Sequence, residues 1–252
     1  IFQRTSNFVS LVDSGWLVAG LIVTRIAFSE LSEQCSKLID QMDFSFLYDS
    51  VEGHMYHGYY TNIDYYSEYH YGAFYTEPRA ISYIAIGKGD VPMEHWFMLA
   101  RTFPQAWTWQ TQLPKGVKEK EYFGYKFEAG YYTYDDLKFI PSWGGSMFEA
   151  LMPTLILDEK SLAPNGLGLN DARHTEIQID YAINKLKYPV FGMSPSCVPE
   201  GGYSEYGVKP LGMRGYKPGV ITPHATFLAL EFAPKEAIKN LRRMLELYDN
   251  IY

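Results

Sequence analysis

Residues 12–42 read VDSGWLVAGLIVTRIAFSELSEQCSKLIDQM, and their spacing decides between helix and strand. Leu31, Cys35, Leu38, Ile39 and Met42 recur at i, i+4, i+7 and i+8, continuing to Met42, which is the repeat of one α-helical face. Upstream, Asp13 or Ser14 stands where an N-cap belongs, ahead of an apolar run that ends near Phe28. The two segments predict a helical hairpin.

Moving outward, Glu77-Pro78 opens a third helix with proline in its tolerated first turn. Ile81, Ile84 and Ala85 continue the apolar side until Gly87 and Gly89 stop it. Asp90-Val91-Pro92 starts a fourth helix that runs to about Arg101. A fifth is expected from Trp143 to near Pro153. A sixth runs from a cap at Asn170 to about Asn184, with Ala172, Ile179 and Ile183 facing inward. Pro223 opens a short helix through Leu230, and Pro234 opens the last, an amphipathic segment to Tyr252. Eight paired helices and few alternating patterns predict an all-α fold. The Tyr-rich stretches Tyr48–Tyr75, Tyr122–Tyr134 and Phe191–Tyr216 are expected as long functional loops. Without repeats or linker-like tracts, the whole chain, 1–252, reads as a single domain.

Composition narrows the function. A chain of 252 residues with 47% hydrophobic side chains can bury a core, and a net charge of −7 argues against nucleic acid or an anionic membrane as partner. The windows Trp16–Phe28 and Phe139–Leu157 are broken by Arg25, or by Gly145, Glu149 and Pro153, so no membrane span is expected. Cys35 and Cys197 lack CxxC spacing and read either as two buried thiols or as one bridge. Tyrosine (22) outnumbers phenylalanine (15), which suits a partly wet cleft, since the phenol has an apolar face and a polar edge.

Four clusters carry candidate chemistry. Glu149 is the only charge in FIPSWGGSMFEALMPTLIL (139–157). A carboxyl in such surroundings has a raised pKa, as a general acid near neutral pH requires; the structural alternative is a buried Glu paired with an Arg. The segment 170–178 carries Asp171, Arg173, His174, Glu176 and Gln178, which can line a cleft or satisfy one another along a helix. Tyr203, Glu205 and Tyr206 lie in a glycine-flanked loop that is equally readable as structural. Glu77 and Arg79 begin a helix beside a tyrosine cluster that ends at Tyr75. No metal-ligand spacing, phosphate loop or nucleophile elbow occurs, so neither metal nor cofactor is expected.

The strings VDSGWLVAGLIV, EPRAISYIAIGKGDVPMEHWF, SWGGSMFEALMPTLI, LNDARHTEIQIDYA, YPVFGMSPS, YSEYGVKPLGM and GVITPHATFLAL together resemble the glucoamylase-like domain family. That family includes bacterial β-1,2-glucan-cleaving enzymes and a domain of cyclic β-1,2-glucan synthases. The resemblance implies an (α/α)6 toroid with a loop-lined cleft, and a glycoside hydrolase or transglycosylase acting on a glucan, with the family's β-1,2 linkage as the candidate. It places Glu149 as the acid and Glu77 as a second carboxylate. Trp143 and His224, with the residues above, fall on the substrate-binding side. The alternative is a non-catalytic carbohydrate-binding or scaffolding module of the same fold. A secreted or periplasmic setting is expected. Only about four of six helix pairs are counted, and the last helix lacks a C-cap signal. Further chain after Tyr252, or a second fragment, is therefore expected to complete the ring.

Overall fold

A computed structural model describes residues 6–198 and 201–248. Its contacts divide into two compact units. Unit 1 comprises Ile1–Phe74, Pro78–Ala100 and Glu121–Phe127, and unit 2 comprises Tyr75–Glu77, Arg101–Lys120 and Glu128–Tyr252.

Unit 1 is organised around the expected hairpin. Strand β1 (Phe8–Ser10) leads into helix α1 (Leu11–Ala27), and a short 3-10 turn joins α1 to α2 (Ser32–Gln41). The cap of α1 is Ser10, whose hydroxyl accepts from the Asp13 amide. It is not Asp13 or Ser14, because Asp13 instead serves as first-turn acid. Leu11, Gly15, Val18 and Ala19 form the buried face of α1, and Cys35 and Ile39 that of α2. Leu31 and Leu38, read as core, are exposed; the buried face of α2 is narrower than the apolar stripe. Gly15 is required where α1 crosses α3 (Arg79–Lys88), since a Cβ there would lie 2.4 Å from Ile81 Cγ1.

Helix α3 ends at Gly89 with φ 82°, a left-handed cap that glycine adopts without strain. The following helix is cut to α4 (Glu94–Met98), short of the expected Arg101, because the chain turns extended at Leu99 and Ala100 bonds to Gly72.

The stretch Tyr48–Tyr75 is not loop. β2 (Tyr48–Asp49), β3 (His54–Tyr56) and β6 (His70–Tyr71) form one small antiparallel sheet; β1, β4 (Gly58–Tyr60) and β5 (Tyr65–Tyr66) form another. Likewise β7 (Lys115–Tyr122), β8 (Tyr125–Tyr134) and β9 (Leu137–Phe139) form a three-stranded sheet where a loop was expected over Tyr122–Tyr134. Positive φ at Phe123 and Gly124 gives β7 and β8 the tight turn that matches strand twist. The described residues are about 44% helix and 19% strand, so the all-α expectation is corrected to a helical fold bearing several small sheets. Tyrosine-rich segments, favoured on pleated surfaces, supply the strands.

In unit 2, α5 (Met147–Leu151) packs against α7 (Leu167–Asp180) and α8 (Pro223–Leu228), and α8 packs against α9 (Pro234–Leu247). The four-residue α6 (Glu159–Leu162) precedes α7, which continues into a π turn to Lys185. Helix α7 starts three residues before Asn170, whose amide instead bonds both backbone groups of Ile140. Its buried residues are Gly168, Asn170, Asp171, His174, Thr175, Ile177 and Gln178, mostly polar, while the expected Ala172, Ile179 and Ile183 are only partly covered. A two-stranded ribbon, β10 (Ser196–Cys197) with β11 (Tyr203–Ser204), occupies part of the expected Phe191–Tyr216 loop. Both cysteines are free, Cys35 buried and Cys197 exposed, so neither the bridge nor the pair of buried thiols forms. In α9, Ala237 and Met244 are buried, whereas Ile238, Leu245 and Tyr248 are exposed; the helix ends at Leu247, with Tyr248 extended, and the rest of the stretch expected to reach Tyr252 lies outside the described residues.

Candidate active site

Glu149 does not sit mid-helix as its spacing suggested. The expected fifth helix begins at Met147 because Gly145 takes φ 79° and Ser146 caps the turn, which places Glu149 at its third position. The Ser146 hydroxyl accepts from the Glu149 amide at 3.2 Å, and the Glu149 carboxylate accepts in return from the Ser146 amide at 3.0 Å, a capping box. Further donors are Ser146 Oγ at 2.8 Å, Ser142 Oγ at 3.3 Å and the Gly144 amide at 3.0 Å. Burial pushes the carboxyl above its ordinary range, and these donors, led by Ser146, pull against that shift.

The loop that carries this carboxylate is clamped by backbone. The Ser142 amide donates to Leu211, Met213 to Ser142, Arg214 to Trp143, Tyr216 to Gly144, and Val208 to Gly145. So close an approach needs glycine: a Cβ on Gly145 would lie 2.2 Å from the Val208 carbonyl oxygen, and one on Gly144 2.0 Å from the Tyr216 ring. From α7, the Gln178 amide donates to the Gly145 carbonyl at 2.8 Å and accepts from the Met193 amide at 3.3 Å. Gln178 therefore braces the loop.

Around Glu149 gather two tyrosines and two more carboxylates. Burial, then the charges of Glu149 and Glu205, raise the Tyr216 phenol. Tyr203 is raised by burial and by Glu205, Glu77 and Glu149. Both phenols thus stay protonated, as hydrogen-bond donors, through the neutral range. Behind them, fully buried Asp171 accepts from the Tyr75 hydroxyl at 2.5 Å, and the His174 ring lies 5.7 Å from that of Tyr75.

Other predicted residues make contacts of their own. Arg173 and Glu176 occupy the opposite side of α7 from Asp171, His174 and Gln178; Arg173 bonds the Lys138 carbonyl, and Glu176 is exposed. Tyr206 is buried with Lys217 Nζ 5.3 Å from its ring centroid. His224 reaches Ser194 Oγ at 3.2 Å. Arg79 is buried in unit 1, at the start of α3. The Trp143 ring lies 5.7 Å from that of Trp109, tilted by 55°, and Trp109 stacks with Trp107 at 5.7 Å; Trp109, Trp143 and Arg214 line a pocket of about 330 Å³.

Residues 109–252 match the Glycoamylase family, described as "Putative glucoamylase". The chain belongs to the glycoamylase family. It is 30% identical over 225 residues to the cyclic β-(1,2)-glucan synthase NdvB of Rhizobium meliloti, covering 86% of this chain but 7% of that protein. The fold is similar to that of an endo-β-1,2-glucanase from Chitinophaga pinensis in a complex with sophorotriose and glucose (TM-score 0.63, 16% identity, 94% of this chain and 55% of that one). It is also similar to a protein from Bacteroides uniformis titled "putative glucoamylase" (TM-score 0.65, 19% identity, 96% of this chain and 56% of that one). The glycoamylase chain therefore spans about half the length of the solved structures it resembles and a small part of the curated relative.

Among the described residues no group of three or more His, Cys, Asp or Glu side chains could hold a metal ion, and no helix is long and apolar enough to cross a membrane. The sequence reading passed over Ser142, Ser146 and Tyr216, which hold and flank Glu149, and also Trp107, Trp109 and Arg214. A signal existed for some of them: Ser146-x-x-Glu149 is a capping-box spacing, and Trp107-Thr108-Trp109 alternates aromatic and polar residues within a turn.

Proposed function

We propose that this chain is the glucan-binding, catalytic region of a glycoside hydrolase or transglycosylase of the glycoamylase family, acting on a β-1,2-linked glucan with Glu149 as general acid. The observation that carries the reading is a buried carboxyl with a raised pKa among Tyr216, Tyr203, Glu205 and Glu77. Burial favours the protonated form that must deliver a proton to the leaving oxygen. The phenols remain donors toward a hydroxyl-rich ligand, and Glu77, with its charge felt at Tyr203, is the candidate second carboxylate. The β-1,2 linkage is supported by the likeness to the cyclic β-(1,2)-glucan synthase of Rhizobium meliloti and the endo-β-1,2-glucanase of Chitinophaga pinensis. The same likeness supports a helical toroid, in which further chain or a second fragment would complete the ring.

The capping box favours one alternative. Ser142, Gly144 and Ser146 satisfy the Glu149 carboxylate without any substrate, so a non-catalytic glucan-binding module with a structural Glu149 is the second reading. Glu149→Gln separates the two, because glutamine preserves a capping box yet cannot transfer the proton. Incubated with a panel of glucans of defined linkage, the catalytic chain loses turnover by about 10²–10⁴-fold in the variant while still binding oligosaccharide. Unchanged turnover, or none from the parent chain on any linkage, removes the catalytic reading.

A further inference from the structure

The pocket between Trp109, Trp143 and Arg214 is lined by two indoles and a guanidinium, and its construction argues for a ligand. Trp109, which lines it, and Trp107, stacked on Trp109, are unusual for tryptophan in their exposure, at 47% and 44%, although indoles are normally mostly covered. They do not hang free. Phe103, Trp107, Trp109 and Trp143 follow one another at centroid separations of 5.6–5.7 Å, a continuous aromatic ladder. Adjacent exposed aromatics on a rigid frame mark binding surfaces more often than core.

The frame is rigid on both sides of the pocket. The turn bearing Trp107 and Trp109 is closed by the Gln110 side chain, which donates to the Pro104 carbonyl at 2.8 Å and accepts from the Tyr132 hydroxyl at 2.8 Å. Its end is fixed by the Thr111 amide, which donates to the Met213 carbonyl at 2.8 Å, one residue from Arg214. Arg214 in turn donates its amide to the Trp143 carbonyl at 3.0 Å. Trp143 immediately precedes Gly144, whose amide bonds Glu149 at 3.0 Å. The pocket and the candidate acid are thus held by one hydrogen-bonded strip of backbone.

We infer that this pocket is a glucosyl-binding subsite, in which a pyranose ring stacks on Trp109 and Trp143 while Arg214 pairs with its hydroxyls. A pyranose presents CH groups on its faces and hydroxyls at its rim, matching indole faces beside a guanidinium fork. The inference rests on the glucan-acting reading and extends it, since it adds Trp109 and Arg214 as binding residues.

Calorimetric titration of the Glu149→Gln chain with linear β-1,2-linked gluco-oligosaccharides, from disaccharide to hexasaccharide, tests it. Trp109→Ala and Arg214→Ala, each made in that background, weaken hexasaccharide binding about tenfold. Trp109→Phe recovers most of the loss, and the unfolding transition of each variant stays where the parent's is. Binding by the parent with no change in either alanine variant overturns the subsite and leaves the glucan-acting reading standing. A parent that binds no oligosaccharide of the series overturns both.

Discussion

Replacing Ser146 with alanine tests how the Glu149 carboxylate is held. The Ser146 hydroxyl is fully buried and works twice: it accepts from the Glu149 amide at 3.2 Å as N-cap and donates to the carboxylate at 2.8 Å. Loss of an N-cap costs about 1 kcal/mol. Loss of a hydrogen bond to a charged acceptor costs about 1.5–3 kcal/mol where water cannot replace it. The two share one hydroxyl and do not add, so a total of about 2–3 kcal/mol is expected. The loss also depends on pH. Because the folded pKa of Glu149 lies above its unfolded value, its contribution is fully present below the unfolded pKa and is lost as pH rises through the folded pKa. Ser146 opposes that rise by favouring the ionised form, so its removal lifts the folded pKa further. The destabilisation therefore grows between acid and neutral solution. Urea unfolding followed by tryptophan fluorescence reads it, since Trp107, Trp109 and Trp143 all lie in unit 2. A loss under about 0.5 kcal/mol, or one that does not grow as pH is raised across the stable range, would refute the proposed support of the carboxylate.

Two further outcomes follow from the geometry. Gly145→Ala places a Cβ 2.2 Å from the Val208 carbonyl oxygen at φ 79°, so unit 2 should lose about 3 kcal/mol or more in equilibrium denaturation, with no recovery on ligand addition. In unit 1, a hydrogen bond from Tyr56 chiefly holds the Asp49 carboxyl down to about 2, with support from Glu52, Val51 and His70, so its stabilisation is present above 3.8 and lost as pH falls from there to about 2. Asp49→Asn should flatten that acid limb in a pH series of unfolding curves, and an unchanged limb would exclude Asp49 as its source.

The helical hairpin was legible because α1 and α2 bury one side of a 3.6-residue repeat. The sheets were not, for two physical reasons. Strands of two or three residues, such as Tyr48–Asp49 and His70–Tyr71, are too short to show alternation. The longer Lys115–Tyr122 is exposed or half-exposed throughout, so neither face announces itself as apolar. Helix α7 misled in the opposite sense. Its buried residues are mostly polar, with Ile177 the buried isoleucine, so Ala172, Ile179 and Ile183 pointed to the wrong side. Glu149 stood out as a lone charge in an apolar run, but hydropathy said nothing of the Ser146 cap. Arg214 carried no signal, because its place in the pocket depends on hydrogen bonds between Met213 and Thr111 and between Arg214 and Trp143, far apart in sequence.

The polar interior of α7 has a cause in how the acid loop is built. A carboxyl buried on a long amphipathic helix would sit among side chains, which can relax around it. Here α5 has only five residues, and Glu149 is reached mainly by backbone amides and by hydroxyls one turn away. Such a loop needs its outward carbonyls satisfied in the interior, because an unpaired buried carbonyl costs roughly 1–3 kcal/mol. Gln178 meets that need for Gly145 while also accepting from Met193, so a leucine at the same place would pack but leave those backbone groups without their partner. The glycines at 144, 145, 207 and 212 complete the arrangement by allowing backbone to lie against backbone, with a Cβ at Gly212 only 2.5 Å from the Gly144 carbonyl carbon. Glu149 is held in place by covalent geometry and main-chain hydrogen bonds more than by packing. That is the kind of support that keeps a reacting group within a fraction of an ångström of its position, and it serves a catalytic acid better than a cap requires.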